Sequence, residues 1–178
     1  MSVRANASCS LDVTETVAAA YSPASPVDGV SNVRRFNAYN QLNKILDSAT
    51  TPKADTVVDL SFALSGGTTK TWDLTAAPDA KNISATVDLT GKKLVAMLIV
   101  ADADNDAAGM TMVAGASNGY NVFGASTDRL TLYPGQTVCL FQSGAASSWD
   151  AVAAGDKTID FAGTDGDAVD ILAVFGTQ

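Results

Sequence analysis

Asp102-Ala103-Asp104-Asn105-Asp106 places carboxylates at alternate positions, the pattern with which a calcium-binding loop begins. An EF-hand also needs Gly at its sixth position for a sharp turn and Glu at its twelfth for bidentate coordination. Those positions hold Ala107 and Val113. The run therefore reads as a solvated acidic turn, and Ca²⁺ binding by Asp102, Asp104 and Asp106 stays an open question for titration. A second run, Gly163-Thr164-Asp165-Gly166-Asp167, has the residue types of an aspartic-protease loop in the wrong order. That chemistry needs two carboxylates sharing a proton, and no matching second copy occurs, so this run also reads as a turn. A glycosidase needs only two carboxylates at a suitable separation. Nothing selects a pair among the many aspartates, and Trp72 and Trp149 are too few to line a sugar groove.

Other chemistries are excluded by residue type. Histidine is absent, which removes a Ser-His-Asp triad, a Cys-His dyad and histidine-ligated metal. Cys139 lies in the apolar run Thr137 to Phe141 and reads as a packed small hydrophobe rather than a nucleophile. Cys9 and Cys139 read as reduced thiols rather than a bridge. Lys92-Lys93 and Arg34-Arg35 are the basic pairs, each expected on a solvated face or in an intersubunit ion pair. Gly66-Gly67 and the glycines from Gly115 to Gly119 lack a phosphate-loop lysine and dinucleotide spacing. The expectation is no enzyme, no catalytic residue, no cofactor and no metal.

Composition narrows the partners. The chain has 178 residues, with 19 acidic against 11 basic residues and a net charge of -8, and Glu15 is its one glutamate. A general electrostatic grip on nucleic acid needs clustered Lys and Arg, so nucleic acid is not expected as a partner. Leu94 to Ala101 is the longest strongly apolar run, far short of the roughly 20 residues of a spanning helix, so no membrane is expected. Asp12 and Glu15 interrupt the apolar stretch that should follow Arg4 in a secretion signal, which points to synthesis and assembly in a cytoplasm. Hydrophobic residues make up 47% and charged residues only 17%. A solvated monomer usually carries more charge, so part of the surface is expected to be covered by other subunits.

The elements that must position these residues are strands. From Asp55 onward, short runs rich in Val, Ile, Leu, Thr and Phe alternate with turn residues. The runs are 56–64, 70–74, 83–89, 94–101, 110–113, 120–123, 129–133, 137–142, 158–161 and 169–175. Asn118-Gly119, Pro134-Gly135 and Asp165-Gly166 are among the breaks, each suited to left-handed turn geometry. In Trp72-Asp73-Leu74 and Val87-Asp88-Leu89 the apolar residues share one face and the aspartate takes the other. Both sequences lie in segments ending Asp-Leu-Thr. Leu94 to Val100 does not alternate and is expected to be a central strand covered on both faces. Asn32 to Leu46 leans to extended structure. The fold class expected is all-β: an antiparallel, jelly-roll-like β-sandwich over residues 33–178, preceded by an extended N-terminal arm and loop over residues 1–32.

The order of these segments is similar to that in a known group. Thr50-Thr51-Pro52-Lys53-Ala54-Asp55 precedes a strand, Trp72-Asp73-Leu74-Thr75 follows a Gly-Gly turn, and Asp88-Leu89-Thr90-Gly91-Lys92-Lys93-Leu94 enters the apolar strand. Gly115 to Gly124 is followed by Leu132-Tyr133-Pro134-Gly135-Gln136, and Ile171-Leu172-Ala173-Val174-Phe175-Gly176 closes the chain. Over roughly residues 50–176 this succession resembles small β-rich structural proteins of tailed bacteriophages, including head-decoration and minor capsid proteins. The resemblance implies a non-enzymatic virion component, assembled in the host cytoplasm. Such a component forms a homo-oligomer, a trimer or higher, and docks on virion proteins such as the major capsid protein. It would stabilise the particle by burying interface. No functional residue carries over, because the shared pattern consists of turns and strands. The alternatives are a tail, spike or fibre component contacting the host surface, a carboxylate-dependent glycan-degrading enzyme, and a cellular adhesin or shell-forming protein.

Overall fold

A computed structural model describes residues 53–66, 68–79, 82–141 and 149–177, together with the backbone of four strands nearer the N-terminus. The protein is nearly all-β, with antiparallel sheets. The first strands are β1 (Arg4–Cys9), β2 (Thr14–Val17), β3 (Asn32–Arg35), β4 (Leu42–Asp47), β5 (Thr56–Ala63) and β6 (Thr69–Asp73). After a 3₁₀ turn at Leu74–Ala76 come β7 (Ala77–Asp79), β8 (Asn82–Val87), β9 (Lys93–Ala101) and β10 (Met110–Ala114). β11 (Arg129–Leu132), β12 (Thr137–Phe141), β13 (Thr158–Ala162) and β14 (Ala168–Gly176) complete the chain.

The chain divides into two compact units, residues 7–44 and residues 1–6 with 45–178. Within the smaller unit β2 pairs antiparallel with β3, Glu15 opposite Arg34. β1 and β4 form a second two-stranded sheet. The extended reading of 32–46 thus meets β3 and most of β4, while residues 36–41, and the part of the expected arm and loop at 18–31, lie outside the described residues.

In the larger unit two sheets share one core. The six-stranded sheet runs β12-β9-β14-β5-β7-β8 and the four-stranded sheet β11-β10-β13-β6. Strand alternation sends Met97, Ile99 and Ile171 of the first sheet and Met112, Leu132 and Phe161 of the second into a single apolar cluster. Phe62 and Phe161 meet edge to face across it, ring centres 5.3 Å apart, a geometry worth about 1 kcal/mol beyond area burial. Opposite β14 the register slips: Val174 faces Ala96 while Phe175 faces Leu94. Val95 is the extra residue of this bulge, which lets Leu94 and Val95 both leave water. Val95 joins Ala54 and Val174 in a second, smaller cluster, with Val57, Ala96 and Phe141 packed against it.

Several expectations are revised. β9 is central in its sheet, between β12 and β14, but is covered on both faces only around Val95, while Leu98 remains 38% exposed. Residues 120–123 are not a strand. Tyr120 and Val122 point inward with period two, yet the segment meets β13 only at a single parallel bridge, Gly119 to Thr158. Burial parity alone therefore mimicked a strand that has no ladder partner. The run from Lys70 stops at Asp73, whose carboxylate caps the 3₁₀ turn by accepting from the Thr75 N–H. Pro78-Asp79 reads as a break, whereas both residues belong to β7, where Pro sits beside a register irregularity that tolerates its missing donor.

Candidate functional site

The two acidic motifs singled out from sequence meet in space. Asp106 donates its backbone N–H to Asp167 Oδ1 at 2.7 Å, and Thr164 donates its own to Asp167 Oδ2 at 2.7 Å. Asp167 is only 2% exposed, so its carboxylate is a buried staple between the turn before β10 and the turn before β14. Gly163 permits it, because a Cβ there would press on Asp167 Oδ2 at 2.5 Å. Asn105 adds a second staple: its side chain donates to the Ala168 carbonyl at 2.9 Å and accepts from the Ala168 N–H at 2.7 Å, imitating a strand pair. Asp102 and Asp106 accept from the N–H groups of Asp104 and Ala108, and Asp165 from that of Gly66. These carboxylates build turns. Among the described residues no group of three or more acidic or thiol side chains is arranged to hold a metal ion.

The Asp-Leu-Thr pair has the same geometry twice. Asp73 Oδ1 accepts from the Thr75 N–H (2.8 Å) and hydroxyl (2.7 Å), and Asp88 Oδ1 from those of Thr90 (2.8 and 2.6 Å). The intervening Leu74 and Leu89 are both fully buried, and the Leu89 N–H donates to the Leu74 carbonyl. The Thr75 hydroxyl outweighs burial and, with Lys157 3.1 Å from Asp73, holds the Asp73 carboxyl below its usual range. Hydrogen bonds from Thr90 do the same for Asp88.

Beside Asp73 lies an open hollow of about 350 Å³, lined by Thr71, Ser117, Asn118, Lys157 and Asp160 among others. Asp160 is buried, accepting from the Thr71 hydroxyl at 2.6 Å and the Ala116 N–H at 2.9 Å. Thr158 ties the floor together. Its carbonyl accepts from the Gly115 and Tyr120 N–H groups, and its hydroxyl and N–H donate to the Asn118 carbonyl. Asn118 sits at φ +55°, a conformation that asparagine tolerates better than most residues. The hollow offers hydroxyls, a carboxylate and an ammonium to a polar ligand. Asp73, held ionised, can accept a hydrogen bond there but is a poor general acid near neutral pH.

No known protein family, curated protein or solved structure matches the chain. Its chemistry therefore rests on these residues alone. Lys92 pairs with Asp55 at 2.6 Å. Burial pushes the Asp55 carboxyl up, but Lys92, Thr56 and Thr177 together bring it below its usual range. Tyr120 is buried, donates to the Asp150 carbonyl at 2.8 Å and accepts from the Leu94 N–H, and burial lifts its phenol to about 12. Cys139 is exposed on β12, not packed, because Val138 and Leu140 take the inward positions. The side chains of Cys9, Arg34 and Arg35 lie outside the described residues. Sequence reading missed Lys157, Thr158 and Asp160. Only the Asp-Leu-Thr repeat hinted at this corner.

Proposed function

We propose that the chain is a non-enzymatic structural component of a tailed-phage virion, a capsid decoration or minor capsid protein that self-associates and stabilises the particle by burying interface. We further read its larger unit as a jelly-roll sandwich. The observation that carries this reading is strand order. Setting aside the β7–β8 hairpin, the sheets run β12-β9-β14-β5 and β11-β10-β13-β6. Apart from the β10–β11 hairpin, successive strands thus change sheets at every step, the two-sheet, eight-strand pattern in which jelly rolls are built and which recurs in viral capsid and lectin domains. Turns stapled by Asp73, Asp88, Asn105 and Asp167 make such a body rigid enough to transmit load. The test is to incubate the purified chain with heads of the parent phage assembled without it. Saturable binding that raises the heads' resistance to heat supports the proposal, and absence of binding overturns it.

A second reading has its own observation. The polar hollow beside Asp73 and Asp160 suits a hydroxyl-rich ligand, as a spike or fibre component contacting a host glycan would need. Binding on a glycan array that is lost in Asp160→Ala would favour it.

A further inference from the structure

We infer that β6 is a pairing edge, on which β6 of a second copy of this chain adds antiparallel across a two-fold axis and joins two four-stranded sheets into one. The inference rests on the proposed self-association and adds which strand makes the contact and in which register.

Backbone phase defines the edge. β6 ends the four-stranded sheet, and β13 is its one partner there. The Leu74 N–H donates to the Lys157 carbonyl and the Gly163 N–H to the Thr68 carbonyl, so the even-numbered residues of this stretch bond to β13. Thr69 and Thr71 therefore turn both N–H and C=O away from the sheet. Asp73 turns its N–H the same way, while its carbonyl serves the 3₁₀ turn that it caps. These outward groups have no backbone partner among the described residues. Thr69, Lys70 and Thr71 are all exposed, so the chain itself leaves the edge open.

Such an edge is a template for a further strand, and sheets blunt it with proline, bulges or short strands. The opposite edge of the same sheet, β11, is four residues long and Pro134 follows it closely. β6 has no proline, and its five residues pair with β13 without a register shift.

Parity and charge select the occupant and its register. Only odd-numbered residues offer free backbone groups, so odd must meet odd. With Thr71 on the axis, the two Thr71 residues face each other and Thr69 of each copy faces Asp73 of the other. The Thr69 hydroxyl, which has no partner of its own among the described residues, then stands beside a carboxylate whose Oδ2 otherwise meets only Lys157. Lys70 falls opposite Trp72, where its methylene stem extends the inner row and its ammonium stays in water. Neighbouring registers are worse. Centred on Lys70, the two ammonium groups would oppose each other. Centred on Trp72, Thr75 inside the 3₁₀ turn would have to pair with Thr69. In the Thr71 register the strand complements itself, hydroxyl to carboxylate on both sides of the axis with no like charges opposed, and a second copy is therefore its occupant.

Five residues at about 3.4 Å each give an edge of about 17 Å, much smaller than a standard interface. The contact is accordingly weak in isolation, with a dissociation constant on the order of 100 μM, and gains from repetition on a particle.

Amide hydrogen exchange of the full chain by NMR, with sedimentation velocity alongside, tests this. At that affinity the Thr69, Thr71 and Asp73 amides should exchange about threefold more slowly at about 1 mM than at about 30 μM. The amide of Ala107, in an exposed turn, should not change. Thr71→Pro removes an N–H that the fold does not use and should weaken the pair about tenfold or more. Thr71→Val keeps that N–H and should hold the pair within about threefold of the wild type, although it loses the hydroxyl that donates to Asp160. Thr69→Pro guards against a misfolded Thr71 variant, and circular dichroism checks all three. A monomer throughout the range, β6 amides indifferent to concentration, or a pair that survives both proline changes overturns the inference. A monomer that still binds decoration-free heads would sink the β6 contact and spare the particle reading. Pairing through β6, in a chain that binds no heads, would do the reverse.

Discussion

The outer faces of the two sheets are made of different residues on the same kind of backbone. Across the four-stranded sheet, register aligns Arg129, Val113, Asp160 and Thr71 in one row, with Thr131, Thr111, Ala162 and Thr69 in the next. Threonine suits a solvated strand, because its branched Cβ favours extended backbone while its hydroxyl finds a partner. Thr71 donates to Asp160 and Thr111 to the Ala162 carbonyl. Across the six-stranded sheet the corresponding positions are Cys139, Leu98 and Leu172. Inward faces of both sheets are alike in chemistry, since they meet each other. Outside, the contrast is in what stays open: hydroxyls and a carboxylate with partners on one sheet, two exposed leucines on the other.

Substitutions can break or sharpen this contrast. The largest effect should come from the shared core, where the faces do not matter. Phe161→Ala should cost about 4 kcal/mol in denaturant unfolding, from lost burial and the cavity left against Phe62. Asp167→Ala should come next, at about 3 kcal/mol, because two N–H groups in a buried corner lose their acceptor. On the polar face, Asp160→Ala should cost about 2 kcal/mol for the same reason with a more open surround. On the apolar face, Leu172→Ser should change stability by less than about 0.5 kcal/mol, because the side chain is 45% exposed. If Leu172→Ser proved as destabilising as Asp160→Ala, the leucine would be a core residue and the contrast would fail.

Dependence on pH should follow from three hydrogen-bonded carboxylates. Asp55, Asp73 and Asp88 are held below their usual range in the folded chain. Their contribution is therefore present above the unfolded value, about 3.9, and lost as pH falls through the lower folded values. Thermal unfolding should show its acid limb there, and a Thr75→Val, Thr90→Val chain should show a shallower one. Tyr120 acts at the other extreme. Its raised phenol stabilises the fold below about 10 and ceases to do so as pH rises towards about 12.

Strand existence was largely legible in the sequence, because alternation and turn residues carry both period and punctuation. Nine of the ten expected runs contain a strand, and the exception, 120–123, is instructive. Tyr120 alternates inward like a strand residue but spends its hydroxyl on Leu94 and Asp150 in place of a neighbouring ladder. The Asp-Leu-Thr repeat was visible, but not that Leu74 and Leu89 would be hydrogen-bonded to each other. Pairing of Asp106 with Asp167 was not legible at all, since each motif alone reads as an ordinary turn and 61 residues separate them. Cys139 shows the limit of composition. Its apolar neighbours suggest burial, while its parity on β12 puts it in solvent.

Methyl NMR of the full chain with a soluble paramagnetic agent examines the two sides of the six-stranded sheet together. The account predicts strong relaxation enhancement of the Leu98 and Leu172 methyls and little for Ile99 and Ile171, which point the other way from the same strands. Enhancement of the isoleucine methyls, or none of the leucine methyls, would contradict it.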